Sequence, residues 1–145
     1  MPTLTNKITG DKGEIEVVKL IACPSCNKKL MLLPNSYPLY DVQCTACSFR
    51  AQVKTNNSKP KKEIFGATWD IIDKVLKSGY TVPPLIVNFK WVEQRKKRQI
   101  ILFYPFIPRD KLRKRFTTIK KSGRRLWMFN YVDLDKLPSI TLLKK

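Results

Sequence analysis

Polar and apolar positions alternate with period two along Phe49-Arg50-Ala51-Gln52-Val53-Lys54. The alternation predicts a strand with Phe49, Ala51 and Val53 on one face and Arg50, Gln52 and Lys54 on the other. Leu39-Tyr40-Asp41-Val42-Gln43 also reads as extended, after a loop marked by Pro34, Asn35, Ser36 and Pro38. Gly10 to Ile21 predicts a short amphipathic helix with acids in its first turns, and Glu14 lies on the stripe that continues through Val18 and Ile21, toward the domain body. A second helix is predicted from Phe65 to Ser78, where Phe65, Trp69, Ile72 and Leu76 recur at helical spacing and Gly79 supplies a stop. Leu85 to Trp91 and Gln99 to Tyr104 predict two strands joined by a basic turn from Glu93 to Arg98. Asp110 to Phe116 predicts a short basic helix, and Leu126 to Tyr131 and Ser139 to Leu142 the final strands. No repeat or domain-sized linker interrupts the pattern, so residues 1–145 are expected to form one domain, an α/β (α+β) mixed sheet flanked by helices.

Composition narrows the chemistry. The 145 residues are 43% hydrophobic, enough for a core, and contain no histidine. That zero excludes Ser-His-Asp and Cys-His nucleophiles, His-paired zinc fingers and histidine general bases, so any catalysis runs on carboxylates, amides, lysine or metal. No Gly-rich Walker loop is present, which argues against nucleoside-triphosphate hydrolysis. With 29 Lys and Arg against 11 Asp and Glu, the formal net charge of +18 selects nucleic acid, anionic membrane surfaces or acidic proteins as partners. Met1 to Lys7 has no signal-like apolar run, and Ile100 to Pro108 is too short to span a bilayer. No membrane partner is expected, and the cytoplasm is the expected compartment.

The cysteines form two knuckles, Cys23-Pro24-Ser25-Cys26 and Cys44-Thr45-Ala46-Cys47, with seventeen residues between them. This is zinc-ribbon spacing, in which each turn aims two thiolates at one ion and two turns close a tetrahedron with no open position, so the expected zinc is structural. Two disulfides, or a thioredoxin-like pair at either knuckle, are the alternatives. A secreted scaffold would call for a signal peptide and a redox pair for a single knuckle, so spacing and compartment together favour zinc.

Asp41 is followed, after ten residues, by Gln52-Val53-Lys54. Metal-assisted phosphodiester hydrolysis needs an oxygen-rich site that leaves room for water and phosphate, and an Asp, a second oxygen ligand and backbone carbonyls suit Mg²⁺ or Mn²⁺. A Lys two residues beyond the second ligand projects on the same face, where its ammonium can steady charge developing on phosphorus. Asp41, Gln52 and Lys54 are the candidate catalytic residues, with Asp41 and Gln52 holding the cation and Glu14 entering from the first helix. The bland reading stands beside this one: an Asp at a strand end satisfies backbone groups, Gln-x-Lys suits a half-exposed strand, and Glu14 suits a surface or capping acid.

Gly10-x-x-Gly13-Glu14-x-x-Val17, then Asp41, then Gln52-Val53-Lys54-Thr55, resembles the PD-(D/E)xK nuclease superfamily. With two CxxC knuckles in the catalytic hairpin, the chain is similar to the catalytic domain of the Dam-replacing (DpnI-like) restriction endonucleases. Gly66-Ala67-Thr68, Ile107-Pro108-Arg109-Asp110 and the segment from Trp127 to Pro138 extend the likeness over most of the chain. The resemblance implies a restriction-endonuclease-like mixed sheet with a zinc ribbon inserted at the catalytic hairpin. It also implies a Mg²⁺- or Mn²⁺-dependent endonuclease serving restriction or DNA processing, double-stranded DNA as partner, and a homodimer for two-strand cuts. Two departures follow. Gln52 stands where the superfamily has its second acid, which implies weaker metal affinity. The methyl-reading winged helix of the Dam-replacing enzymes has no counterpart before Lys145, so a truncated relative, a stand-alone nuclease or one subunit of a larger assembly is expected, without methyl specificity.

Three basic groups are candidate phosphate contacts: Lys59, Lys61 and Lys62; Arg95, Lys96, Lys97 and Arg98; and Arg113, Lys114, Arg115, Lys120, Lys121, Arg124 and Arg125. Trp69 and Trp127 are expected in the core, although Trp127 beside Arg124 and Arg125 also suits stacking on a base. The competing functions are a non-catalytic zinc-ribbon nucleic-acid-binding protein on a degenerate nuclease fold, and an interaction protein whose basic surface meets an acidic partner.

Overall fold

The computed structural model describes residues 4–34, 37, 39–118 and 122–145, with side chains from residue 12 onward. The elements run α1 (Leu4–Leu20), β1 (Leu30–Leu32), β2 (Val42–Cys44), β3 (Arg50–Asn56), β4 (Ile64–Thr68), α2 (Trp69–Lys77), β5 (Leu85–Glu93), β6 (Lys96–Tyr104), β7 (Leu112–Thr118), β8 (Arg125–Tyr131) and β9 (Ile140–Lys144). Six strands form a mixed sheet in the order β1-β2-β3-β5-β6-β9, and β4-β8-β7 form a smaller antiparallel sheet. Within the large sheet β3 and β5 pair in parallel, with Gln52 opposite Leu85 and Lys54 opposite Val87. The crossover between them contains β4 and α2. The expected mixed sheet with flanking helices is therefore present.

Both faces of the large sheet are covered. On one, Val17 and Ile21 from the α1 segment pack with Val42, Ala51, Val53, Ile86, Ile101 and Phe103. On the other, Leu85, Val87 and Phe89 pack with Ile72 from α2 and with Phe129 and Tyr131 from β8. Leu85 to Phe89 is consequently buried at every position, the signature of a central strand rather than an amphipathic one. The alternation read in β3 holds: Ala51 and Val53 face α1, while Gln52 and Lys54 face the smaller sheet.

Several expectations are corrected. The predicted helix from Phe65 to Ser78 divides, because Ile64–Thr68 is the strand β4 and the helix begins only at Trp69. Phe65 is exposed at 55%, and Gly66 approaches Phe129 so closely that a Cβ there would lie 2.3 Å from its ring. Gly79 does end α2, with φ of 79°. The predicted basic helix from Asp110 to Phe116 is instead one turn of 3₁₀ helix, Arg109–Lys111, followed by β7. Ladder pairing with β8 from Leu112↔Tyr131 to Thr118↔Arg125 outweighs the helix propensity of its Lys and Arg residues. The basic turn contracts to Gln94 and Arg95, both at positive φ as a two-residue hairpin requires, so that Lys96, Lys97 and Arg98 belong to β6. Helix α1 begins earlier than Gly10, at Leu4, and its buried stripe runs through Gly13, Val17 and Ile21, with Glu14 and Val18 half-buried beside it. Trp127 is not in the core but half exposed, whereas Trp69 is partly buried against Phe129. Asn35, Ser36 and Pro38 of the predicted loop lie outside the described residues. Among the described residues no helix is long and apolar enough to cross a membrane.

Candidate active site and cysteine cluster

The β2–β3 hairpin builds both candidate sites, with the second cysteine knuckle at its turn and Asp41 at its open end. Val42 pairs with Ala51, and the Asp41 N–H donates to the Ala51 carbonyl at 2.9 Å, so Asp41 lies beside β3. The Val53 N–H donates to Asp41 Oδ2 at 2.7 Å, and the Gln52 N–H to the Pro84 carbonyl at 2.9 Å. Glu14 arrives from α1, near enough for its side chain to act on the Asp41 carboxyl and hold its pKa down. The close approach depends on Gly13, where a Cβ would lie 1.9 Å from Thr55 Oγ1, so α1 reaches β3 only because that residue has no side chain.

Lys54 is drawn to the opposite side of the cluster, where its ammonium donates to the Gly66 carbonyl of β4 and lies 5.9 Å from the Phe65 ring centroid. Burial pulls its pKa below the usual lysine value, while Asp41 and then Glu14 push it back up. Burial pushes the Asp41 carboxyl above the ordinary carboxylate range, against the Val53 N–H, the Lys54 charge and Glu14. Two neighbouring carboxyl groups disfavour each other's charge unless a proton or a cation lies with them, and oxygen donors of this kind fit Mg²⁺ or Mn²⁺. Gln52 is 7% exposed, and its Oε1 accepts from the hydroxyl of Tyr131, a fully buried residue of β8.

Asp41, Lys54 and Glu14 are thus near enough for their charges to act on one another, while the Gln52 side chain, on the same face of β3 as Lys54, meets Tyr131. Tyr131 is the member that reading missed, because only the crossing of the small sheet over β3 brings it to Gln52. No local spacing signals that contact.

The four cysteine Sγ atoms all lie within 4.8 Å of one another, with Cys23–Cys47 at 3.6 Å and Cys26–Cys44 at 3.4 Å. A tetrahedral zinc with Zn–S of about 2.3 Å sets its sulfurs roughly 3.8 Å apart, so the cluster is compatible with zinc. The separations are too long for disulfides, and the cysteines are free. Backbone N–H groups point at the sulfurs, from Ser25 to Cys23 at 3.4 Å and from Ala46 to Cys44 at 3.2 Å, as thiolate ligands require. Burial raises the Cys44 thiol, but the Ala46 N–H, Cys26 and the Cys47 N–H outweigh it and bring the thiol down to about 6.

The basic groups distribute unevenly. Lys59, Lys61 and Lys62 are exposed just beyond β3, and Lys59 pairs with Glu93 at 3.1 Å. Arg95, Lys96, Lys97 and Arg98 are exposed at the far end of the β5–β6 hairpin. Arg98 pairs with Trp91, four residues or about 13 Å along β5 from Val87, the partner of Lys54, and Arg95 lies beyond the end of the strand. Arg113, Lys114, Arg115, Arg124 and Arg125 are exposed on the β7–β8 hairpin, while Lys120 and Lys121 lie outside the described residues. The inner end of that hairpin is Tyr131, at Gln52. Lys114 lies 4.7 Å from the Trp127 ring centroid, and Arg125 5.3 Å from that of Phe116.

The family model that matches the chain is that of the Dam-replacing (DpnI) family, over residues 9–144. A comparison with curated proteins finds no match.

Proposed function

From a chain that belongs to the Dam-replacing (DpnI) family of restriction-type DNA endonucleases, we propose a divalent-metal-dependent endonuclease that hydrolyses phosphodiester bonds in DNA on a PD-(D/E)xK core. Residues 1–145 act in this reading as one restriction-endonuclease-like unit. The observation that supports it is that Asp41, just before β2, Lys54 of β3 and Glu14 of α1 act on one another across one partly buried cluster, with Gln52 on the same face of β3 as Lys54. Asp41 and Gln52 would hold Mg²⁺ or Mn²⁺, with Glu14 beside them. A cation bound there supplies Lewis-acid chemistry to water and to the phosphate.

The chain's own groups do the rest. Hydrolysis joins a water oxygen to phosphorus and breaks one P–O ester bond, leaving a phosphate end and a hydroxyl end. Negative charge grows on the phosphate oxygens as this happens, and Lys54 is the half-buried cation placed to offset it. The Val53 N–H fixes the Asp41 carboxylate in place, so the acid need not reorganise during reaction.

The cysteine cluster takes a structural zinc in this reading, since four sulfurs leave no open coordination position. Free thiols suit a reducing compartment, which supports the cytoplasm. The exposed cations of the β7–β8 hairpin favour a duplex lying across β8 beside the cluster. A homodimer would supply the second active site needed for a two-strand cut.

The test is cleavage of supercoiled plasmid, methylated or unmethylated at adenine, by zinc-loaded protein with Mg²⁺, with Mn²⁺ or with neither. A strong chelator is avoided because it would strip zinc as well. Metal-dependent nicking or cutting that Asp41→Ala abolishes is the expected result. Tight, salt-sensitive DNA binding without cleavage would instead identify a non-catalytic zinc-ribbon binder.

A further inference from the structure

We propose that Tyr131 is a positioning residue that locks the side-chain amide of Gln52, holding its oxygen available to a cation, so that an uncharged side chain can serve where a carboxylate would be symmetric. The inference rests on the nuclease reading above and deepens it at one ligand.

The two ends of a glutamine amide are opposite in character, the oxygen accepting and the NH₂ donating. The terminal torsion of the side chain is broad and roughly two-fold, so nothing intrinsic selects which end meets the cluster. A turned amide would show two N–H groups to a cation and repel it. A glutamate at the same position has no such failure, because its oxygens are equivalent.

Tyr131 supplies the missing selection. Its hydroxyl donates to Gln52 Oε1 in a buried contact, and among the described residues that oxygen is the one acceptor found for it. Turning the amide would leave the buried O–H without an acceptor, a loss that opposes the turn. The tyrosine is itself held firmly, fully buried in the core with its ring packed edge-on to Phe129 at 5.4 Å. Burial, and then the charge of Asp41, raise its phenol pKa well above the ordinary value, so it remains a donor across the working range. An amide oxygen has two lone pairs, and Tyr131 takes one, leaving the other for a cation. Gln52 shares its face of β3 with Lys54, so the held amide lies on the side of the strand that meets the smaller sheet.

The test compares four zinc-loaded proteins: wild type, Tyr131→Phe, Gln52→Glu and the double variant. Mn²⁺ binding is measured by calorimetry, with plasmid cleavage against Mg²⁺ concentration alongside and thermal midpoints as the check on folding. Tyr131→Phe is expected to weaken Mn²⁺ binding about three- to tenfold when Gln52 is present. In the Gln52→Glu background the same change is expected to matter by about twofold or less. Cleavage by Tyr131→Phe should recover at saturating Mg²⁺, since the loss lies in binding. Equal weakening in both backgrounds would mean that the hydroxyl is merely structural and would overturn the lock alone. So would binding that Tyr131→Phe leaves unchanged. Wild-type protein that binds no Mn²⁺ overturns both the lock and the nuclease reading.

Discussion

Val53 donates its backbone N–H to Asp41 Oδ2 at 2.7 Å, so the strand that carries Gln52 and Lys54 also anchors the carboxylate proposed to work with them. The contact lets chemistry be separated from folding at Asp41. Asn retains a carbonyl oxygen for the Val53 N–H, whereas Ala leaves that buried donor without a partner, at a cost of about 1–3 kcal/mol. Both Asp41→Asn and Asp41→Ala are expected to abolish cleavage, and only Asp41→Ala to lower the denaturant midpoint substantially. Cleavage surviving in Asp41→Asn would remove Asp41 from the cation site.

Gly13 is the point at which α1 reaches β3, and the next residue is Glu14. Gly13→Ala would place a Cβ 1.9 Å from Thr55 Oγ1, which forces the helix or the threonine to move. Overpacking of this kind costs about 1–3 kcal/mol. Where the helix yields, Glu14 shifts from Asp41 and cleavage per folded molecule should fall along with stability. Glu14→Gln, measured beside Gly13→Ala, isolates the acid, and specific cleavage left unchanged by Glu14→Gln would show that Glu14 does not act.

The raised pKa of Asp41 fixes a sign. Burial favours the protonated acid, so a proton competes with a cation at higher pH than it would at an ordinary aspartate. Mn²⁺ binding should strengthen as pH rises through the Asp41 titration, with protons released on binding below and around it. Without metal, the stability linked to this group runs the other way, being present below the unfolded-state pKa and lost as pH rises through the folded one. Calorimetry in two buffers of different ionisation enthalpy measures the proton count, and zero release at mildly acid pH would contradict the assignment.

What the sequence revealed depended on how local the cause was. The knuckles and the alternation of β3 were legible because each is fixed by spacing within a few residues, and the grouping of Asp41, Gln52 and Lys54 followed from one hairpin. The short strand β4 was hidden because Phe65, Trp69, Ile72 and Leu76 happen to keep helical spacing across the junction at Thr68. Phe65 in fact points outward, and Gly66 is needed against Phe129, a partner far along the chain. In β7 only Leu112 is buried, so no apolar period announces a strand, and its pairing with β8 decides the conformation. Tyr131 was illegible as a site residue for the same reason, since its contact with Gln52 arises where two sheets cross.

Lys54 differs from the exposed lysines in being half-buried, with its ammonium on the Gly66 carbonyl and its pKa drawn down. Its proposed task is to offset charge in the transition state, so Lys54→Ala should reduce the single-turnover cleavage rate by about 10²–10³-fold. DNA affinity should change little, because an ammonium so enclosed contributes little to holding distant phosphates. A variant that loses binding and cleavage in equal measure would assign Lys54 to substrate binding instead.

The β7–β8 hairpin and the β5–β6 hairpin both spring from strands that touch the candidate site, β8 through Tyr131 and Gln52 and β5 by pairing with β3, but Lys114 and Arg115 pair with Phe129 and Met128, only two and three residues from Tyr131. The second ends at Glu93, about 20 Å along β5 from the partner of Lys54, with Lys97 opposite Val92. A duplex centred on the cluster should therefore lie against Lys114 and Arg115 before it meets Arg95 or Lys97, with Arg125 farther out along β8. Each phosphate contact removed from B-form DNA lowers the slope of log affinity against log salt by about 0.9. Alanine at Lys114, Arg115 and Arg125 together should flatten the slope by about two to three, measured by titration of a labelled duplex without added divalent ion. Alanine at Arg95, Lys96 and Lys97 should flatten it less. The reverse ranking would move the DNA path to the other hairpin and take the β7–β8 hairpin out of the interface.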